Sequence, residues 1–167
     1  MLWFDRTFDF DLPLWMAPNV MERLRGTPAR LEDRLHGVSS SRLVQQVNGK
    51  WSMQEQVGHM LDLEPLWLGR VDDLFNNAEE MRVADLENRK THEANHNTRP
   101  LVFLLSAFRA NRTELIARVD GLPFEDYGRS ARHPRLVQPM RLLDLLFFIA
   151  EHDDHHLAAI SELIEQN

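Results

Sequence analysis

The residues with most chemistry to offer in this chain are its histidines. There are eight of them and no cysteine. Any metal site therefore takes nitrogen and oxygen ligands, and disulfides, thiolate zinc knuckles, iron–sulfur clusters and a cysteine nucleophile are excluded. Two histidine pairs have a spacing that suits an ion. His152 and His156 lie in the run His152-Asp153-Asp154-His155-His156. At i and i+4 of a helix they sit one turn apart on one face, where two imidazoles can converge on one ion. Written as heptads, the segment has an inner seam of Leu142, Leu145, Ile149, His152, His156, Ala159 and Leu163. Desolvating two imidazoles in an apolar stripe is costly, and a bound cation offsets that cost. The competing reading makes them core histidines satisfied by Asp153 and Asp154.

The second pair, His92-Glu93-Ala94-Asn95-His96, matches the H-E-x-x-H pattern letter for letter. That pattern works when a long buried helix presents both imidazoles and the glutamate polarises a water. Here polar residues flank it on both sides, so no apolar face holds it; His92 and His96 are left as candidates for a pocket mouth. A catalytic ion needs a third ligand, and His59, in Val57-Gly58-His59-Met60-Leu61-Asp62, is the candidate. Gly58 permits a neighbouring helix to come close, and Asp62, one turn on, is placed to orient the imidazole. On periodicity alone, His59 reads equally well as a surface histidine at a helix start. Candidate general bases are Glu55, Glu93, Glu151 and Asp153. Arg129, Arg132, His133, Arg135 and Arg141 form a basic stretch that either docks an anionic substrate group or balances an acidic surface.

The elements that must position these groups read as helices. Ser52-Met53-Gln54-Glu55 is a capping box, opening a helix that runs to about Asn76 and is kinked at Pro65. Thr27-Pro28 reads as an N-cap followed by proline at the first helical position, with the helix ending at His36-Gly37 and a short helix before it over 19–25. A third helix runs from about Thr98 to Gly121, with Leu101, Leu105, Phe108, Leu115 and Val119 on one stripe. The fourth spans about Arg141 to Glu165. The polar stretch 77–97 has room for a short helix from Asp85, residues 123–140 are rich in proline and arginine, and no strand pair stands out. The expectation is an all-α four-helix bundle with long connections, forming a single domain over 1–167 in which 1–17 are an N-terminal arm. Trp3, Phe4, Phe8, Phe10 and Trp15 of that arm pack on the domain or on a partner subunit.

Length and charge bound the rest. At 167 residues and a formal charge of −7, with 17 of the 19 basic residues arginine, the chain does not look like a nucleic-acid binder. The N-terminus lacks a basic stretch before an apolar run, and nothing approaches the roughly 18 apolar residues of a membrane span. A cytoplasmic protein without membrane or nucleic-acid partners is expected.

Two segments together resemble the DinB/YfiT-like superfamily. Residues Gly49-Lys50-Trp51-Ser52-Met53-Gln54-Glu55-Gln56-Val57-Gly58-His59 are similar to its W-S-x-x-E-x-x-x-H helix start. Ala150-Glu151-His152-Asp153-Asp154-His155-His156-Leu157-Ala158-Ala159-Ile160 are similar to its H-x-x-H-H helix. Order and separation agree over about 20–165. The resemblance implies a four-helix bundle, often a homodimer, with one divalent ion, zinc or nickel, held by His59, His152 and His156. His155 would point off the seam. It further implies a small-molecule substrate, with either water (a hydrolase) or an external low-molecular-weight thiol (an S-transferase) as the activated group; the other reading is a binding or stress-response module without catalysis. The aromatic extension and the histidine-bearing 85–97 loop depart from the thiol-transferring members.

Overall fold

The computed structural model describes residues 3–166. Four long helices carry the architecture: α1 (Ala17–Leu35), α3 (Met53–Phe75), α5 (Leu101–Val119) and α6 (Leu142–Glu165), with short helices α2 (Ser40–Leu43) and α4 (Arg89–Glu93) in the connections. The Ser52 capping box forms as expected: the Ser52 hydroxyl accepts from the Glu55 N–H, and the Glu55 carboxylate accepts from the Ser52 N–H. Asp144 plays the matching part for α6, accepting from the Arg141 N–H at 2.9 Å and from its guanidinium.

Each long helix packs against two others. Helix α3 lies against α5 and α6, and α1 also lies against α5 and α6, so α1 faces α3 and α5 faces α6 across the diagonals of the bundle. Two of the three consecutive pairs, α1–α3 and α5–α6, thus sit diagonally, and the links that join them, 36–52 and 120–141, must cross an end of the bundle, whereas α3 and α5 are neighbours along an edge.

Three expectations are corrected. Thr27 does not cap a helix. Helix α1 runs unbroken from Ala17, with Pro28 inside it. Proline removes the N–H that would bond the Leu24 carbonyl, and that carbonyl instead accepts from Arg112 of α5 at 3.5 Å. The 130–141 segment is a two-stranded hairpin, β1 (Ser130–His133) and β2 (Gln138–Arg141), antiparallel in the register Ala131 opposite Met140 and His133 opposite Gln138. Its four-residue strands hold no Val, Ile, Thr, Tyr, Phe or Trp and one holds a proline, so they carry little of the composition by which strands are recognised. Residues 79–81 join the free side of β1: Met81 N–H donates to Arg132 O, and Arg132 N–H donates to Glu79 O. The short helix of the 77–97 stretch begins at Arg89 rather than at Asp85, whose carboxylate instead accepts from the Glu87 and Arg89 N–H groups.

Of the N-terminal arm, Trp3, Phe8 and Phe10 pack on the bundle around Phe148, while Phe4 and Trp15 stay exposed. Among the described residues, no helix is long and apolar enough to cross a membrane.

Candidate metal centre

The seam read from α6 is the observed one. Leu142, Leu145, Ile149, His152 and His156 are all buried, with Ala159 and Leu163 half-buried beyond them. Facing it, the first turns of α3 turn His59 inward, so it is not a surface histidine; it is 4% exposed. One ring nitrogen from each of His59, His152 and His156 lies within 4.8 Å of the other two. The Nε2 atoms of His152 and His156 are 3.1 Å apart. An ion held at 2.0–2.1 Å from three imidazole nitrogens in tetrahedral geometry places them about 3.4 Å from one another. The observed spacings bracket that value.

The surrounding hydrogen bonds fix which nitrogens face inward. Thr91 of α4 donates its hydroxyl to Asp62 Oδ2 at 3.0 Å, which leaves its oxygen to accept from His59 Nδ1 at 3.1 Å. The His59 proton is therefore on Nδ1, and Nε2 carries the lone pair. Likewise His156 Nδ1 donates to Gln56 Oε1 at 2.6 Å, which bares its Nε2. Among the described residues, His152 Nδ1 has no hydrogen-bond partner. Three neutral imidazoles, two of them (His59 and His156) with the lone pair held inward by an outer hydrogen bond, are the chemistry of a zinc-type ligand shell. Burial keeps it neutral. It pushes His59 down to about 4, with the other histidines adding to the effect and Asp62 opposing it, and holds His152 and His156 well below the usual imidazole range.

The competing reading of His152 and His156 fails on geometry. Asp153 turns to Arg112 and to the Thr27 hydroxyl, and Asp154 turns to Arg23 and Arg30. Neither bonds an imidazole.

The H-E-x-x-H match is dismantled by the backbone. Helix α4 ends at Glu93, Asn95 adopts a left-handed φ of 51°, and His96 starts a separate 3-10 turn. His92 is exposed, its ring tilted against that of Trp51 at 5.6 Å between centroids. His96 is buried, with Nε2 2.8 Å from Asp62 Oδ2. It occupies the space that Gly58 vacates: a Cβ on Gly58 would lie 2.2 Å from His96 Cγ. Gly58 does admit a close neighbour, but that neighbour is the His96 ring, not a helix. Asp62 orients His59 through Thr91 rather than directly.

The three histidines open onto a cleft of about 1040 Å³. Its walls include Trp3, Trp51, Trp67 and Phe148, with Trp51 4.6 Å from the His59 ring, and Trp3 and Trp67 5.0 Å and 5.7 Å from the His152 ring. His92 and His155 line it, but His96 does not. None of Glu55, Glu93, Glu151 and Asp153 reaches the cleft: Glu55 caps α3, Glu151 pairs with Arg6 and Arg23, Asp153 is held by Arg112, and Glu93 is exposed. Gln56 and Thr91 are the functional positions that sequence reasoning missed. Gln56, three residues before His59, shares its helix face and had a local signal; Thr91, 32 positions away, had none.

Comparison with known proteins places this geometry in a family. The family model described as the DinB superfamily matches residues 23–160. Among solved structures, YfiT from Bacillus subtilis superposes with a TM-score of 0.83 at 19% identity, over 95% of this chain and 91% of that one. That protein is described as a probable metal-dependent hydrolase with an unusual four-helix bundle topology. No curated protein matches the chain. With five-sixths of its residues, both histidine segments among them, inside the matched region, the chain belongs to the DinB superfamily.

Proposed function

We propose that the protein is a metal-dependent enzyme, a hydrolase in the first instance, whose divalent ion (zinc or nickel) is held by His59, His152 and His156. The observation that carries this is the convergence of three buried imidazole nitrogens within 4.8 Å at the wall of an open cleft. Three protein ligands leave a coordination position free, as catalytic rather than structural zinc sites do. When bound, the ion supplies Lewis acidity, lowering the pKa of a water or thiol toward neutrality and polarising a substrate oxygen.

The chain's own residues do the rest. Gln56 and the Thr91–Asp62 relay hold the tautomers of His156 and His59. Trp3, Trp51 and Trp67 wall off water and offer flat apolar faces to a small-molecule substrate. His155, half-buried with its ring 5.2 Å from that of His156, is kept neutral by burial and accepts the proton that the reaction releases. Thiol transfer would use the same site with an external thiol. A homodimeric assembly, which rests on the family resemblance, and a single domain over 1–167 and a cytoplasmic location, which rest on length, N-terminal pattern and hydropathy, complete the reading.

Metal analysis of protein purified without chelators tests it. A near-stoichiometric divalent ion, lost in His152→Ala, is expected; no ion above background together with unchanged stability of His152→Ala refutes the site. On metal-loaded protein, ester and amide hydrolysis measured against thiol-dependent turnover of an electrophile separates the two chemistries.

A further inference from the structure

Most arginines in the molecule have an acid to answer them. In the basic stretch flagged by the sequence, Arg129 pairs with Asp126, Arg132 with Glu80 and Arg141 with Asp144. Arg82 takes Asp73, and Arg112 takes Glu64 and Asp153. Five arginines have no carboxylate partner among the described residues, Arg34, Arg42, Arg70, Arg99 and Arg135, and two of them, Arg70 and Arg135, line the cleft. Arg70 on α3 is 2% exposed, and its bonds go to uncharged acceptors, the Arg82 carbonyl at 3.2 Å and His133 Nε2 at 3.0 Å. Arg135, in the hairpin loop, lies over the rings of Phe4 and Phe148, and its Nη2 is buried without a partner. Among the described residues, no carboxylate pairs with either.

The acceptor between them is overdrawn. His133 Nε2 faces an Arg70 N–H, and His133 Nδ1 faces the Leu136 N–H at 3.1 Å. A neutral imidazole has one bare nitrogen, so it satisfies one of these donors at a time. Protonating it would satisfy neither, and burial followed by the charges of Arg70 and Arg135 pushes its pKa down to about 3. Burial and Arg135 likewise push Arg70 down to about 10. Two cations and a backbone N–H thus surround one neutral ring, in a part of the protein where an unpaired charge is costly.

We infer that Arg70 and Arg135 form an anion subsite of the cleft, which takes the carboxylate or phosphoryl group of the substrate while its reacting end lies at the three histidines. A guanidinium fork fits either oxyanion in the same planar, two-point way. The spacing suits one small molecule: Trp67 lies between the two sites, its ring 5.5 Å from the Arg70 guanidinium and 5.7 Å from the His152 ring. A substrate with an acidic group at one end and a flat apolar middle matches these walls. The inference deepens the proposed metal-dependent reading, but the arginines do not depend on the ion, which allows the two to be tested apart.

The test is calorimetric titration of the full chain with phenylacetate, phenyl phosphate and the neutral phenylacetamide, on metal-stripped and metal-loaded samples of measured metal content. On stripped protein at least one of the two anions should bind on the order of tenfold tighter than the amide, and the tighter of the two identifies the oxyanion. Arg135→Gln, at a half-exposed loop position, should abolish that preference while the fold is retained; Arg70→Gln should do the same wherever its circular dichroism shows a folded chain. Equal affinity for anions and amide, or a preference that survives Arg135→Gln, overturns the subsite. Anion preference in a protein that never retains metal would refute the metal reading and leave the subsite standing.

Discussion

At the scale of single residues, the site is set by what the neighbours of each imidazole forbid. Thr91 and Gln56 each take one ring proton, and burial removes the option of a second. This has a consequence for pH. His59 has its pKa lowered from 6.5 to about 4 in the fold, so between those values the unfolded chain binds more protons than the folded one. The stability it contributes is present above pH 6.5 and lost as pH falls toward 4, and a shift of that size amounts to about 3 kcal/mol. His152 and His156 act with the same sign. Glu64 acts the other way: burial raises it to about 7, against the pull of Arg112, so its proton favours the fold as pH falls. Three imidazoles outweigh one carboxyl. Thermal unfolding of metal-free protein should therefore show a midpoint that drops between pH 6.5 and 4, and His59→Gln should flatten the slope. A midpoint that is flat or rises on acidification would show that these rings are not buried as described.

At the scale of elements, the sequence was most legible where a local rule acts alone. The Ser52–Glu55 box, the α6 seam and the end of α5 depend on residues within a turn or two of one another, and all appear as read. What failed depended on distant partners. Pro28 looked like a helix start because the group that relieves its interior position, Arg112, lies 84 residues away. The hairpin is held partly by residues 79–81 from another connection. The site divides in the same way. The polar flanks of His92 and His96 already count against that pair beside His59, His152 and His156, and the fold adds the physical reason, by ending α4 at Glu93 and turning the chain at Asn95. Gly58 shows how local and distant rules compete. Alanine there would gain up to about 1 kcal/mol of helix propensity, yet its Cβ would lie 2.2 Å from His96 Cγ, an atom close to the backbone that cannot swing aside. Overpacking of this kind costs about 1–3 kcal/mol, so the clash should win. Gly58→Ala should lower the unfolding midpoint, and adding His96→Ala should cost less than the sum of the two single changes. Strict additivity would mean that the two residues do not touch.

At the scale of the whole molecule, one side chain ties the four long helices together next to the candidate centre. Arg112 of α5 is 1% exposed. It donates to Glu64 of α3 at 2.6 Å and 3.2 Å, to Asp153 of α6, and to the Leu24 carbonyl of α1, while Thr27 of α1 donates to the same Asp153 at 2.8 Å. A bundle in which two of the three consecutive pairs of long helices sit diagonally has few short turns to hold them in register. This network supplies a fixed point at its centre, one residue along α6 from His152. Burial works against the Arg112 charge, but Asp153 and Glu64 more than compensate and raise its pKa above the ordinary arginine value. The arrangement is stable only when complete, because removing the cation strands two buried carboxylates, at about 3–5 kcal/mol. The sign with pH follows. Glu64, already raised by burial, loses the guanidinium that pulls it down and rises further, so the folded state holds more protons and stability is lost as pH increases. Arg112→Met should therefore be more destabilised at pH 8 than at pH 5 in parallel denaturant titrations. It should also bind metal more weakly, because α6 loses the contact that sets His152. Replacing Glu64 and Asp153 by leucine in the same variant should recover much of the stability and remove the pH dependence. A deficit that is the same at both pH values would mean that the two carboxylates reach water once Arg112 is gone, and that the bundle does not depend on this charge cluster for its register.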